Sequence, residues 1–368
     1  MAIEKLNING KLFPLKAIRN AGLIQPHMGP TRNPFMEIGR LPDKRRIVIN
    51  QAEGHTPGVF SGWLVPATAE TKRLAPGETT SVIVKISRYE QVDFWHLFEV
   101  SLLNRLDFLQ PDVPAILHEG KVPVVHHSSI TKGVILRDAP FFIMSRLDGQ
   151  PFSELAKAWQ NRPPRREELA NLLASFASLA VLLAKVHGEN GEPAGIIHRD
   201  IKPANLIHAP HSPALIDFGS ANYFGPLAPK VIRRDCGTPG FFPPEFLAAG
   251  IREDDARIDT YGLGATLISL LTGYRPLMYP GVSDPWKGKK SPEERGTRYA
   301  KQIWAYRHQN AAQLAKASNL PGELKGTPLA EYLFTLAHPL RGRRPVLMSE
   351  VANKLEGFKK ALEDQGEI

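Results

Sequence analysis

Four side chains lie close together in a stretch of this 368-residue sequence: Asp200, Lys202, Asn205 and, 12 residues further on, Asp217. Asp200 is a carboxylate able to accept a proton, and Lys202 is an amine able to neutralise negative charge beside it. Asn205 and Asp217 offer the oxygen ligands that a hard cation such as Mg²⁺ takes. Together they could do acid–base chemistry on a strongly anionic substrate held by a divalent metal. The plain alternative is a polar turn between two short strands, but four such groups at these spacings rarely coincide.

The elements that must position these groups can be read from periodicity. From Arg46 to about Ser87 the pattern is strand-like: Ile47-Val48-Ile49, Val59-Phe60, Trp63-Leu64-Val65 and Val82-Ile83-Val84, punctuated by glycine and proline. Trp95, Phe98, Leu102, Leu103 and Leu106 recur at helical steps and predict a helix. Short strands are expected at Val122–Val125, Val134–Leu136 and Phe141–Met144. A long amphipathic helix follows, with Leu169, Leu172, Leu173, Phe176, Leu179, Leu183 and Val186 on one face. The remainder reads as mainly helical with proline-rich breaks, and residues 1–45, with five prolines, read as an irregular extension.

The segment His198-Arg199-Asp200-Ile201-Lys202-Pro203-Ala204-Asn205 followed by Asp217-Phe218-Gly219 resembles the catalytic and metal-binding loops of eukaryotic-type (Hanks-type) serine/threonine protein kinases. The resemblance implies a bilobal α+β fold: a small antiparallel-sheet N-lobe with one helix over residues 46–145, and a larger helical C-lobe over 146–360. It implies ATP in the cleft between the lobes with one or two Mg²⁺ ions, Mn²⁺ serving as a substitute. Asp200 would orient the acceptor hydroxyl and take its proton, Lys202 would neutralise the moving phosphoryl group, and Asn205 and Asp217 would hold the metal.

The likeness extends to other segments. Ser81-Val82-Ile83-Val84-Lys85 is similar to the strand that carries the phosphate-binding lysine, and Glu99, 14 residues on, stands where the family places its ion-pair partner. Ile83 occupies the roof position over adenine, where the family usually keeps a small residue. Phe142 to Gly149 resembles the hinge, with Met144 behind the base and backbone groups of Ser145 and Leu147 at its edge. Ile207 would be the apolar floor. The glycine-rich loop departs from the family spacing; Gly54 and Gly58 flank its expected tip, and Pro57 removes one amide from it.

Cys236 to Glu245 resembles the end of an activation segment. Glu245 is expected to pair with Arg344, Asp259 to brace the catalytic loop, and Thr238 to bond near Asp200 and Lys202, a feature of the serine/threonine class. Arg199, with Arg233 and Arg234, could clamp a phosphate, although solvation or pairing with Asp235 is the blander reading. Cys236, the lone cysteine, is expected to be a small packing residue and excludes an internal disulfide framework.

The net charge of +9 favours anionic partners without choosing among them. No signal pattern opens the chain, and the stretch 169–186 is interrupted by polar residues, so no membrane span and a cytoplasmic location are expected, with secretion by a specialised apparatus left open. No nucleic-acid partner is expected. The basic stretch from about Tyr274 to Lys325 is read as a surface for protein substrates or partners. Two competing classes remain at this point: a pseudokinase that binds without catalysis, and a phosphotransferase acting on small molecules.

Overall fold

The computed structural model describes residues 4–8, 11–17, 35–50, 58–66, 79–87, 93–127, 134–159, 164–191, 194–208, 212–225, 237–238, 240–243, 255–272, 324, 326–338 and 340–364. The chain forms two compact units, Met1–Asp107 with Pro114–Arg146, and Phe108–Val113 with Leu147–Ile368. The residues expected as a separate extension therefore belong to the first unit.

The first unit is built on one eight-stranded sheet with strands in sequence order except for the last two: β1 (Glu4–Ile8), β2 (Lys11–Ala17), β3 (Phe35–Arg40), β4 (Arg46–Asn50), β5 (Val59–Val65), β6 (Thr80–Ile86), then β7 (Ile116–His127) at the edge beyond β8 (Val134–Ser145). One helix, α1 (Asp93–Arg105), connects β6 to β7. The sheet is antiparallel throughout except where β2 runs parallel to β3, through Lys16 and Ala17.

The period of two decides which residues face the core. On β6, Val82, Val84 and Ile86 join Ile47, Ile49, Phe60, Leu64, Val122, Val124 and Ile143 in one buried cluster. Ile83 and Lys85 therefore point to the opposite face. On α1 the residues Glu99, Leu102 and Leu103, with Leu106 just past its end, are spaced three and four apart and buried.

The irregular reading of residues 1–45 is corrected here. Prolines and polar residues obscure the pattern, yet Ile8 pairs with Lys11 across the dipeptide Asn9-Gly10, the two-residue sequence that most strongly favours a hairpin. Strand β3 is bound to β4 by more than backbone pairing. Arg46 donates Nε to Glu37 Oε2 at 2.8 Å, with Nη2 at 2.7 Å from the same oxygen, and both side chains are largely buried. Leu41 belongs to the core cluster and Ile38 packs against it.

The second unit is mainly helical: β9 (Gln150–Pro151), α2 (Phe152–Trp159), α3 (Arg166–His187), β10 (Ile196–Ile197), β11 (Leu206–His208), β12 (Ala214–Leu215), β13 (Asn222–Tyr223), α4 (Arg257–Thr272), α5 (Pro328–Leu336) and α6 (Met348–Glu363). Helix α3 has 22 residues, enough length and apolarity by composition to cross a bilayer, unlike the shorter stretch read from sequence. Instead, two-thirds of its apolar window is buried within the protein (67%), and α6 packs on it. Glu189, just past α3, fixes α6 by accepting from the first amides of that helix, Met348 N at 2.6 Å and Ser349 N at 3.1 Å. A small antiparallel sheet, β9–β11–β12, and the pair β10–β13 hold the polar segment between them. The short segment Phe108–Val113 is tied to this unit by Leu215 N donating to Asp112 O at 2.9 Å.

Candidate active-site residues

Within the first unit, strand register places Lys85 opposite Val59 on β5 and Phe142 on β8, and Ile83 opposite Ser61 and Met144. Lys85 Nζ donates to Glu99 Oε1 at 2.6 Å, and both groups are buried. Taking either charge out of water alone is expensive, so removing one partner of such a pair destabilises by about 3–5 kcal/mol. Glu99 is thus a buried carboxylate on the core face of α1 whose presence is explained by the lysine it meets.

At the end of β8, the amide of Ser145 donates to Ala115 O at 2.9 Å and its Oγ accepts from Ala115 N at 2.9 Å. Met144 is buried, and Arg146 closes the unit. Gly58 lies in the left-handed region, with its carbonyl accepting from Ile86 N at 2.8 Å. Gly54 lies outside the described residues.

One residue here carried no sequence signal. His96, on α1 between Asp93 and Glu99, has its ring 4.6 Å from that of Phe142. Burial pushes its pKa down to about 4, the positive charges of Lys85 and Arg137 adding to the shift and Asp93 opposing it.

Within the second unit, the polar loop is held by Asp259, near the start of α4. Its two carboxylate oxygens accept from the backbone amides of His198 and Arg199, each at 2.7 Å, and His187 Nε2 lies 2.9 Å from Oδ2. Burial alone would raise its pKa, but the His187 hydrogen bond, the neighbouring histidines and the His198 amide outweigh it and leave the carboxyl below the usual range. Asp259 braces the loop as expected. The bracing also explains a backbone outlier: Arg199 has φ +68°, a left-handed conformation costly for a residue with a side chain, and its amide is one of the two held.

The brace aims the next residues. Lys202 Nζ donates to Asp200 Oδ2 and to Thr238 Oγ1, both at 2.7 Å. Asn205 Nδ2 donates to the Asp200 carbonyl at 2.9 Å and to Asp200 Oδ2 at 3.1 Å. Asp200 Oδ1, by contrast, is buried and receives no hydrogen bond among the described residues. The carboxylate is held by one oxygen and leaves the other without a hydrogen bond among the described residues.

Proline at the start of the turn Pro203–Asn205 suits a position whose amide needs no partner. The turn leads into β11, where Ile207, buried, pairs with Ala214 and Pro151. Ile216 N donates to Asn205 O at 3.0 Å, which sets Asn205 beside the residue preceding Asp217. Asp217 also has left-handed backbone, φ +64°. The two amide hydrogens of Asn205 are engaged by Asp200, so its oxygen is the atom that could serve as a ligand. With the carboxylate of Asp217 it makes an all-oxygen donor pair that suits a hard cation and no soft one.

Two glycines allow the close packing around this loop. A Cβ at Gly237, where φ is +90°, would come 3.0 Å from the Arg199 carbonyl. A Cβ at Gly262 on α4 would come 2.8 Å from the Ile201 Cβ. Thr238 follows Gly237 directly, which is how its hydroxyl reaches Lys202.

Arg344 is buried. Its Nε donates to His338 O at 2.6 Å, its Nη1 to Arg257 O at 3.3 Å, and its guanidinium lies 4.9 Å from the centre of the Tyr261 ring. Its expected partner Glu245 lies outside the described residues, as do Arg233, Arg234, Asp235, Cys236 and all but Leu324 of the stretch 274–325.

A family model described as the protein kinase domain matches residues 139–316. The chain is 28% identical over 167 residues to a probable serine/threonine-protein kinase 2 of Plasmodium falciparum, covering 44% of this chain and 30% of that protein. It is 28% identical over 171 residues to serine/threonine-protein kinase A of a Synechocystis species, 45% of this chain and 31% of that one. Similarity to the probable serine/threonine-protein kinase PBL11 of Arabidopsis thaliana runs over 241 residues at 28% identity, 61% of this chain and 53% of that protein. The chain thus spans about a third to a half of the length of these relatives.

Proposed function

We propose that this chain, which belongs to the Hanks-type serine/threonine protein kinase family and has its α+β fold, transfers the γ-phosphoryl group of ATP to serine or threonine hydroxyls of protein substrates. The observation that carries the proposal is the Asp200 carboxylate, with Oδ2 pinned by Lys202 and Asn205 and a buried, unbonded Oδ1.

In this reading Asp200 Oδ1 accepts the hydrogen of the substrate hydroxyl, aligning its oxygen for in-line attack and taking the proton as the new P–O bond forms. Lys202, already at 2.7 Å from Asp200, neutralises charge on the transferring group. Lys85, oriented by Glu99, meets the α- and β-phosphates. Asn205 and Asp217 would hold Mg²⁺, which supplies positive charge against the phosphate oxygens. The resemblance assigns adenine contacts to Ile83 and Met144, opposite one another on the Lys85 face of the sheet, and to Ile207, buried in the second unit. Ser145, whose amide is engaged by Ala115, contributes its carbonyl to the base edge, and Leu147 its amide. The hydroxyl of Thr238, bonded to Lys202, supports the serine/threonine class.

The test is incubation of the full chain with γ-labelled ATP, Mg²⁺ and a panel of peptides and small alcohols, alongside Asp200→Ala and Asp217→Ala. Label on serine or threonine with the wild type and its loss with both variants is the expected result. Equal label in all three proteins overturns the proposal, and label on small alcohols alone reassigns the acceptor.

A further inference from the structure

Helix α1 is tied to the sheet at a second point, well away from Glu99. Arg137, on β8, directs Nη1 to both carboxylate oxygens of Asp93, at 3.1 and 2.9 Å. Its Nη2 donates to the Ser87 carbonyl at 2.9 Å and lies 3.5 Å from Ser87 Oγ. Ser87 Oγ in turn donates to the same Asp93 carboxylate. Asp93 is the first residue of α1, and Ser87 stands two residues after Lys85, just beyond the end of β6. One guanidinium therefore joins the end of the strand that carries the lysine to the beginning of the helix that carries the glutamate.

The pair is shielded, with Arg137 at 16% and Asp93 at 26% side-chain exposure, so it is screened less than a surface pair. Charge-assisted bonds from one guanidinium to a carboxylate and a carbonyl also fix direction as well as distance. The geometry matters because a helix held at one point can still pivot or slide. From Asp93 to Glu99 the axial separation is about 9 Å. Anchors at both residues set the tilt of α1 and its position along the axis.

We infer that Arg137 is a positioning residue, acting through Asp93 and Ser87 to hold α1 where Glu99 meets Lys85. The inference rests on the reading of Lys85 as the phosphate-binding group, but the clamp itself can be tested without it.

The experiment compares the full-length wild type with Arg137→Met, Arg137→Lys, Asp93→Asn and the double variant Arg137→Met/Asp93→Asn. Each is followed by steady-state kinetics in ATP and by amide hydrogen exchange resolved by mass spectrometry. Arg137→Met and Asp93→Asn are expected to raise the KM for ATP by about tenfold, the scale on which displaced positioning groups act. Exchange should accelerate over 93–105 while the amides of β4 and β5 stay as protected as before. Arg137→Lys should restore part of the effect, and the double variant should be no worse than either single one, because the two groups act as a unit. Unchanged exchange over 93–105 in Asp93→Asn overturns the inference, as does an equal rise across every strand of the unit. Should Arg137→Met fail to fold, Asp93→Asn decides. If the wild type transfers no phosphate, the kinase reading fails while the exchange measurement still settles the clamp.

Discussion

Lys85 and Glu99 illustrate what a single buried pair demands. With both groups out of water, Glu99→Gln keeps the volume but removes the carboxylate that the ammonium meets at 2.6 Å. The expected outcome is a fall in kcat/KM for ATP of about ten- to a hundredfold, with a lowered melting temperature, measured by steady-state kinetics and calorimetry. Asp200→Ala should lower kcat by about 10²–10⁴ while leaving ATP affinity nearly intact, since proton acceptance belongs to the chemical step.

His96 makes a different prediction, about pH. Its native pKa, near 4, lies below the ordinary value of 6.5. As pH falls from 6.5 towards 4, the unfolded chain takes up a proton that the native state refuses, so stability is lost over that window and the group contributes nothing above it. The full difference is on the order of 3 kcal/mol. Denaturant titrations at pH 7 and pH 4.5 should show His96→Leu flattening the pH dependence; an unaltered slope would remove His96 from the account. Spacing made Lys85 and Glu99 visible in the sequence, since 14 residues carry the chain from a strand to the second turn of a helix. His96 and Arg137 were invisible because their roles come from partners 44 to 50 residues away, across strands whose register no local pattern reports.

At the level of elements, the same contrast holds. The strands β4, β5 and β6 and helices α1 and α3 follow from alternation and three-to-four spacing, because each has one face in the core. The three short strands expected between Val122 and Met144 become two long paired strands, β7 and β8, of 12 residues each. Strands β1 to β3 escaped notice: Pro14 within β2 and Pro26, Pro30, Pro34 and Pro42 outside the strands argue locally for loops, and the pairing of β2 with β3 is parallel and joins distant segments. Strand β3 and Leu41 just after it nonetheless have energetic weight, through Ile38, Leu41 and the Glu37–Arg46 pair. Glu37→Gln leaves the Arg46 guanidinium, at 7% exposure, facing a neutral partner, and about 3 kcal/mol of stability should be lost. Urea denaturation is the check, and Glu37→Gln/Arg46→Met should recover most of the loss, because replacing both charges removes the stranded one.

For the whole molecule, ligand binding and stability are linked. If MgATP binds the native protein at 100 times its dissociation constant, the native state gains about 2.7 kcal/mol. Thermal melts should rise with MgATP, and Asp217→Ala should abolish the part of the rise that depends on Mg²⁺ while sparing the part due to nucleotide alone. Equal shifts in wild type and variant would take Asp217 out of the metal site. The net charge of +9, which the sequence offered as a hint about anionic partners, is consistent with a polyphosphate ligand but does not specify one.

The single carboxylate at Asp259, buried, serves three donors with two oxygens. Asparagine would turn an amino group against an incoming N–H; glutamate would overshoot; alanine would leave three hydrogens orphaned. A library carrying all twenty letters at this codon, selected for activity, should return one letter.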